Sequence, residues 1–277
     1  MQLFFSYFLS LHKVNHSFIN KGEECRFFSI FVKNFSVERS LVIIPTYKEK
    51  ENVERMIRQV FSYDTPFCVL IVDDNSQDGT AAIVETLQKE FPDRLFLEKR
   101  TAKLGLGTAY VHGFKWALKN GFTYIFEMDC DFSHNPDDLE RLLAPLKDGE
   151  FQHSVGSRYM NGGHVKNWPL QRILLSYFAS IYVRLILLIN IKDTTAGFMC
   201  YHRSVLEAIE LDKIQFKGYA FQIYMKYMSL RLGFKIKEVP ITFVDRQFGE
   251  SKMSSGIFKE ALIGVWKMRQ YKVKKVR

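Results

Sequence analysis

Tyr124-Ile125-Phe126-Glu127-Met128-Asp129-Cys130-Asp131 is a short apolar run that ends in two carboxylates one residue apart. Two similar runs precede it. Leu41-Val42-Ile43-Ile44 is stopped by Pro45, and Phe67-Cys68-Val69-Leu70-Ile71-Val72 ends in Asp73-Asp74-Asn75-Ser76. Leu95-Phe96-Leu97 makes a further, shorter strand. Between the runs, apolar residues recur at helical spacing: Val53, Met56, Ile57, Val60, and then Ala81, Ile83, Val84, Leu87. Leu104-Gly105-Leu106-Gly107-Thr108 opens another helical stretch reaching Asn120, with Gly121 as its C-cap. Strand and helix therefore alternate through residue 130. The strand runs are continuous rather than alternating, the pattern of strands covered on both faces. The reading is an α/β chain with a mostly parallel, doubly wound sheet and helices on both faces. Such sheets bind ligands beyond the carboxyl ends of their strands. Three polar clusters fall there: Thr46-Tyr47-Lys48-Glu49, Asp73-Asp74 and Asp129-Cys130-Asp131.

Past residue 150 the alternation loosens. Ser154 to Arg158 reads as a strand leading to an arginine, and Gly197 to His202 as another strand. Trp168–Ile191, Gly218–Leu230 and Ile257–Tyr271 read as helices, with a polar loop from Val244 to Lys252 before the last. No repeat or linker divides the chain. A single domain is expected over 40–277. Residues 1–39 form an N-terminal extension, either an upstream start or a membrane-touching tail.

The paired carboxylates of Asp129 and Asp131 repel unless a cation neutralises them. Oxygen ligands of this kind suit Mg²⁺ or Mn²⁺, which take one or two carboxylates plus substrate phosphates. A polar strand end capping the helix begun at Pro136 fits the same residues. The two other strand-end clusters favour a ligand site.

The chain has 277 residues, a net charge of +9 and 47% hydrophobic residues, enough for one large α/β domain with a buried core or for two small ones, and its charge suits an anionic partner. Basic and aromatic residues are not interleaved on a platform, which argues against nucleic acid. Cys25, Cys68, Cys130 and Cys200 lack metal-ligand spacing. No segment reaches the roughly 18 uncharged apolar residues of a membrane span; the nearest, Ile173 to Ile191, contains Arg184. Residues 1–11 are apolar like a signal core but lack a basic start and a small-residue cleavage site.

Six motifs carry a resemblance. They are Pro45-Thr-Tyr-Lys-Glu49, Val72-Asp-Asp-Asn-Ser-Gln-Asp-Gly-Thr80, Lys103-Leu-Gly-Leu-Gly-Thr-Ala109 continuing to Gly113, Met128-Asp-Cys-Asp-Phe-Ser-His134, Gly156-Ser-Arg-Tyr159, and Asp245-Arg-Gln-Phe-Gly-Glu-Ser-Lys-Met253. With them the chain resembles the inverting family 2 glycosyltransferases of GT-A nucleotide-sugar fold. Within that family it is similar to the dolichyl- or polyprenyl-phosphate mannosyltransferases, from about Leu41 to Lys267. There are departures: Lys48 stands where the family usually has Asn, and Cys130 where it usually has Ala.

The resemblance implies metal-dependent, inverting transfer of mannose from GDP-mannose to a dolichyl or polyprenyl phosphate. It places Pro45, Tyr47, Glu49, Val72 and Asp74 around the nucleoside, with Asp73 able to share that role. Asp129, Cys130 and Asp131 face the donor, and Asp131 with Ser133 would hold Mg²⁺ or Mn²⁺. Arg158, Arg246 and Lys252 supply cations for phosphates, and Lys103 is a further donor contact. Asp129, Asp131 and Arg246 are the expected catalytic set. His134 is expected to be structural, and Gly105 and Gly107 to serve close helix–sheet packing, with a phosphate cradle as the looser alternative. A lipid phosphate is already an anion and needs no dedicated general base. A peripheral enzyme on the cytoplasmic side of a membrane is expected, with the 168–191 helix either at the bilayer interface or in the core and the C-terminal basic residues either drawn to anionic lipid or simply solvated. A small membrane-protein partner is left open. The alternatives are a UDP-sugar donor such as UDP-glucose, or an inactive relative.

Overall fold

The computed structural model describes residues 38–246 and 256–271. Its first half is the expected alternation: β1 (Ser40–Thr46), α1 (Val53–Phe61), β2 (Cys68–Asp73), α2 (Thr80–Glu90), β3 (Leu95–Lys99), α3 (Leu106–Lys119) and β4 (Tyr124–Glu127). Beyond it come α4 (Asp138–Lys147), β5 (His153–Ser157), β6 (His164–Lys166), α5 (Leu170–Leu187), β7 (Met199–His202), α6 (Arg203–Ala208), α7 (Tyr219–Leu232), β8 (Ile236–Pro240), β9 (Thr242–Val244) and α8 (Gly256–Arg269). Seven strands form one sheet in the order β3-β2-β1-β4-β7-β5-β8.

The continuous apolar runs follow from burial on both faces. In β1, Leu41 and Ile43 enter one hydrophobic core while Val42 and Ile44 enter the other. α3, α5, α6, α7 and α8 contribute to the first core, and α1, α2 and α4 to the second. Val53, Met56, Ile57 and Val60 of α1 are fully buried, each stabilising the fold by roughly 1.5–3 kcal/mol.

β1, β2, β3 and β4 are parallel neighbours. β7 runs antiparallel between β4 and β5, and β8 is again parallel to β5. The reversal brings the segment before β7 and the ends of β1, β4 and β5 to one edge of the sheet. A second, two-stranded sheet pairs β6 with β9. It carries the chain from β8 back to that edge, where Val244 N donates to Ser133 O at 3.3 Å.

Gly107 serves close packing, but against α7 and the segment before it rather than against the sheet. A Cβ there would stand 2.8 Å from Phe216 O and from Phe221, so only glycine lets α3 approach that wall. Gly105, at φ +105°, makes the turn into α3. Most of the 1–39 extension lies outside the described residues.

Candidate active site

A cavity of about 430 Å³ lies beyond the carboxyl ends of β1 and β4. At one end it is lined by Pro45, Tyr47, Glu49, Asp74 and Lys103; centrally by Asp129, Cys130, Asp131, Ser133 and His134; and beyond them by Arg158, Gly197, Gln222 and Arg246. Residues from all six motifs thus converge from segments far apart in sequence. Val72 does not line the cavity: its side chain is fully buried in the core between β1 and β3. Lys252 lies outside the described residues.

The two β2 carboxylates have separate tasks. Asp73 accepts from Thr46 Oγ1 at 2.8 Å, Ser76 Oγ at 2.6 Å and Ser76 N at 2.8 Å. Its oxygens are consumed in holding the turn. Asp74 lines the cavity, with Oδ1 3.0 Å from Arg100 Nη1 and Oδ2 accepting from Leu104 N at 3.2 Å. Burial raises its pKa while Arg100 opposes the rise. Arg100 escaped the sequence reading because its role depends on pairing across the sheet edge.

Beside Asp74, Lys103 Nζ sits 4.6 Å from the Tyr47 ring centroid. Lys48 follows at φ 54°, a left-handed conformation. Asn adopts that conformation more readily than Lys, a local reason for the family's preference.

Asp131 is buried. Its Oδ1 accepts from Ser133 Oγ at 2.6 Å and Ser133 N at 3.1 Å, and its Oδ2 lies 3.0 Å from Arg246 Nη2. Asp129 is 37% exposed at its side chain and takes a long 3.4 Å contact from Tyr110 OH. Burial of its surroundings and the Asp131 charge push its pKa up to about 7, with Arg246 pulling the other way. Like charge is therefore concentrated here and only partly offset. Asp131, Ser133 and Asp129 form an all-oxygen donor set of the kind that hard divalent cations use together with phosphates. Among the described residues no cluster of three or more His, Cys, Asp or Glu could hold a metal. A cation here would have to complete its shell from the substrate.

His134 is structural, as expected. Its Nδ1 accepts from Asp129 N at 3.1 Å, and its ring stacks on Phe198. Burial lowers its pKa to about 4, so it stays neutral.

Arg158 is a cation with a partner. Its Nε donates to Asp193 Oδ2 at 2.7 Å, its Nη2 to Asp193 Oδ1 at 2.6 Å, and Nη2 also reaches Thr195 Oγ1 at 2.8 Å. Burial alone would raise the Asp193 carboxyl, but the guanidinium outweighs it and holds the carboxyl low. Arg158 therefore shapes the cavity wall while its charge is largely spent on Asp193. Asp193 was missed because nothing local links it to an arginine 35 residues earlier. Arg172 similarly reaches Asp245 Oδ1 at 3.1 Å and lies 3.9 Å over the Trp168 ring.

A second cavity, about 490 Å³ and mostly apolar, lies among α5, α7 and α8. Trp168, Arg172, Thr195 and Tyr219 line both cavities.

The model of glycosyl transferase family 2 matches residues 41–210. Over 234 residues the chain is 44% identical to the polyprenol monophosphomannose synthase of Mycolicibacterium smegmatis, covering 84% of this chain and 88% of that one. Over 227 residues it is 44% identical to the undecaprenyl-phosphate mannosyltransferase of Micrococcus luteus, covering 82% and 92%. Among solved structures, it is similar to glucosyl-3-phosphoglycerate synthase from Mycobacterium tuberculosis in complex with Mn²⁺, UDP-glucose and phosphoglyceric acid. That likeness has a TM-score of 0.63 at 15% identity and covers 92% of this chain and 86% of that one. It shows a shared GT-A fold.

Proposed function

Because the chain belongs to glycosyl transferase family 2, we propose that this glycosyltransferase moves mannose from GDP-mannose to a polyprenyl phosphate. The observation that carries the reading is the junction of two chambers. A polar cavity with paired carboxylates and arginines meets an apolar groove at Trp168, Arg172, Thr195 and Tyr219. A donor that is a nucleotide sugar fits the first. An acceptor with a phosphate head and a hydrocarbon tail fits the passage between them. The two relatives at 44% identity carry polyprenol monophosphomannose and undecaprenyl-phosphate mannose chemistry in their names.

The nucleoside is placed against Tyr47, Lys103 and Asp74, and the diphosphate toward Asp129, Asp131 and Arg246. The acceptor phosphate, already anionic, attacks the anomeric carbon from the face opposite the leaving group. A new carbon–oxygen bond forms to the lipid phosphate as the bond to the nucleoside diphosphate breaks. The electron pair leaves on the β-phosphate oxygen, and the anomeric configuration inverts. Arg246 offers charge-assisted hydrogen bonds to that oxygen's phosphate. A divalent cation held by Asp131, Ser133 and Asp129 would neutralise the departing diphosphate as a Lewis acid. Neutral His134 keeps the Asp129 backbone in place and takes no proton.

The same reading puts the protein on a membrane surface, on the cytoplasmic side. α5 is long and apolar enough to cross a bilayer by length and composition, with 22% of it buried. Its Val183, Ile186 and Leu187 pack into the core, and Arg172 is tied to Asp245. That tethering favours a helix lying in the interface over one crossing it. Leu170, Leu174, Leu175, Phe178 and Leu185 of α5 are exposed, as are Leu262, Ile263 and Trp266 of α8. Lys267 and Arg269 follow on α8, each able to add about 1 kcal/mol near anionic lipid.

The test is transfer of radiolabelled sugar into organic-extractable polyprenyl phosphate. GDP-mannose is compared with UDP-glucose, with Mg²⁺ or Mn²⁺ and with chelator. Lipid-linked mannose from GDP-mannose alone, lost with chelator, is the expected result. Product from UDP-glucose instead would replace the donor, and product unaffected by chelator would remove the metal.

A further inference from the structure

Gln222 of α7 is buried on the cavity wall. Its Nε2 donates to Glu127 Oε2 at 2.8 Å, while its Oε1 is buried with no hydrogen-bond partner. A buried amide oxygen is costly to leave unpaired. With the other end of the amide committed to Glu127, Oε1 is the end left for a ligand.

The surroundings hold that amide firmly. Glu127 also accepts from Tyr201 OH at 2.7 Å. Lys226 Nζ donates to Gln222 O at 3.2 Å and to Ala196 O at 2.6 Å. One lysine thereby ties α7 to the segment just before Gly197. Gly197 in turn leaves open the space beside the amide: a Cβ there would stand 3.5 Å from Gln222 Nε2 and 3.6 Å from His134 Cε1.

The order of the sheet gives that space its occupant. Asp74 follows β2, Tyr47 follows β1, the Asp129/Asp131 pair follows β4, and Gly197 precedes β7, the next strand in the sheet. A nucleoside diphosphate sugar laid along this edge, nucleoside at β2 and β1 and diphosphate at β4, brings its sugar to β7 and α7. We infer that Gln222 Oε1 accepts a hydrogen bond from a hydroxyl of the donor's hexosyl group and discriminates among donor sugars. This rests on the nucleotide-sugar reading above. A neutral amide suits the task, since it pairs with a hydroxyl without desolvating a charge. A site built around such a pairing rejects the analogue that lacks the hydroxyl.

The experiment uses the full chain with GDP-mannose, its single-deoxy sugar analogues, and GDP alone. The wild type should lose about tenfold in kcat/KM for one deoxy donor, the scale of one lost hydrogen bond. Gln222→Met should lose about tenfold with GDP-mannose and no longer distinguish that deoxy donor, with GDP affinity unchanged. Gly197→Ala adds only ordinary contacts and so should fold. It should raise the donor KM about tenfold while GDP binds as before. Gln222→Met with wild-type discrimination, or Gly197→Ala with an unchanged donor KM, would overturn the inference. A wild type that uses only a UDP-sugar changes the donor assignment instead, and the same comparison then runs on deoxy analogues of that sugar.

Discussion

Arg246 Nη2 stands 3.0 Å from Asp131 Oδ2, so the cation of the loop after β9 is held on the carboxylate after β4. The pair joins the two ends of the functional sequence, and each member is aligned by the other. Asp131 also accepts twice from Ser133, leaving Arg246 as its charged partner.

Removing either member should therefore cripple transfer. Asp131→Ala and Arg246→Ala are each expected to lower kcat by about 10²–10³, the range for losing one preorganised electrostatic contact. Because the two act together, the double variant should fall little further than the worse single one. Single-turnover rates with GDP-mannose check this. Full multiplication of the two losses would show that they act independently.

Arg158 and Asp193 should matter most for stability. Both side chains are buried, at 6% and 0% exposure. Asp193→Ala leaves a buried guanidinium without its counter-charge and should cost about 3–5 kcal/mol. In a domain of this size the melting temperature should fall on the order of 10 °C. The sign with pH is fixed by the low carboxyl pKa of Asp193. Its contribution is complete above the ordinary carboxylate value and is lost as pH falls through the lower folded value. Melting curves from neutral to acid pH should therefore be steeper for the wild type than for Asp193→Ala. Parallel curves would remove the pair from the acid response.

The first half of the fold was legible because its strands are buried on both faces, which writes continuous apolar runs into the sequence. β7 was legible as a strand over Gly197 to His202 but not in its direction. Four residues carry no signal for antiparallel insertion between β4 and β5. β6 and β9, three residues each and partly polar, gave no signal at all. In the site, Asp129, Asp131 and Arg246 were legible from motif context, whereas Asp193, Arg100 and Gln222 were not. Each of those acts through a partner distant in sequence. Gln222 is further hidden inside a helix whose neighbours are almost all buried.

Lys48 marks a place where the chain departs from a locally better residue. At φ 54° its backbone is in the region that Asn tolerates best among side-chain-bearing residues. Its N–H donates to Ser76 Oγ at 2.8 Å, a contact that any residue retains. Lys48→Asn should stabilise the protein by about 0.5–1 kcal/mol. Chemical denaturation reads the difference as a higher midpoint at unchanged slope. An unchanged or lower midpoint would show that the Lys48 ammonium, 5.7 Å from the Tyr47 ring centroid, contributes more than the backbone conformation costs.

Lys226 supplies a pH response in the opposite range. It is fully buried, and burial lowers its pKa from 10.5 to about 8 despite the favourable charges of Asp193 and Glu127; Arg158 opposes those charges. The unfolded chain holds this proton more tightly than the folded one between about pH 8 and pH 10.5. Folding therefore becomes more favourable as pH rises through that window, and the change ends once both states are neutral. The full gap corresponds to about 3 kcal/mol. Lys226→Met removes the titration and leaves Ala196 O without its donor, so the variant need not be more stable at neutral pH. The informative quantity is the difference between the two proteins as pH changes. Denaturation midpoints at pH 7.5, 9 and 10.5 should show the wild type gaining on Lys226→Met across the series. A constant difference would mean that Lys226 keeps the same proton affinity folded and unfolded. Its two hydrogen bonds to Ala196 O and Gln222 O would then hold a charge without shifting it.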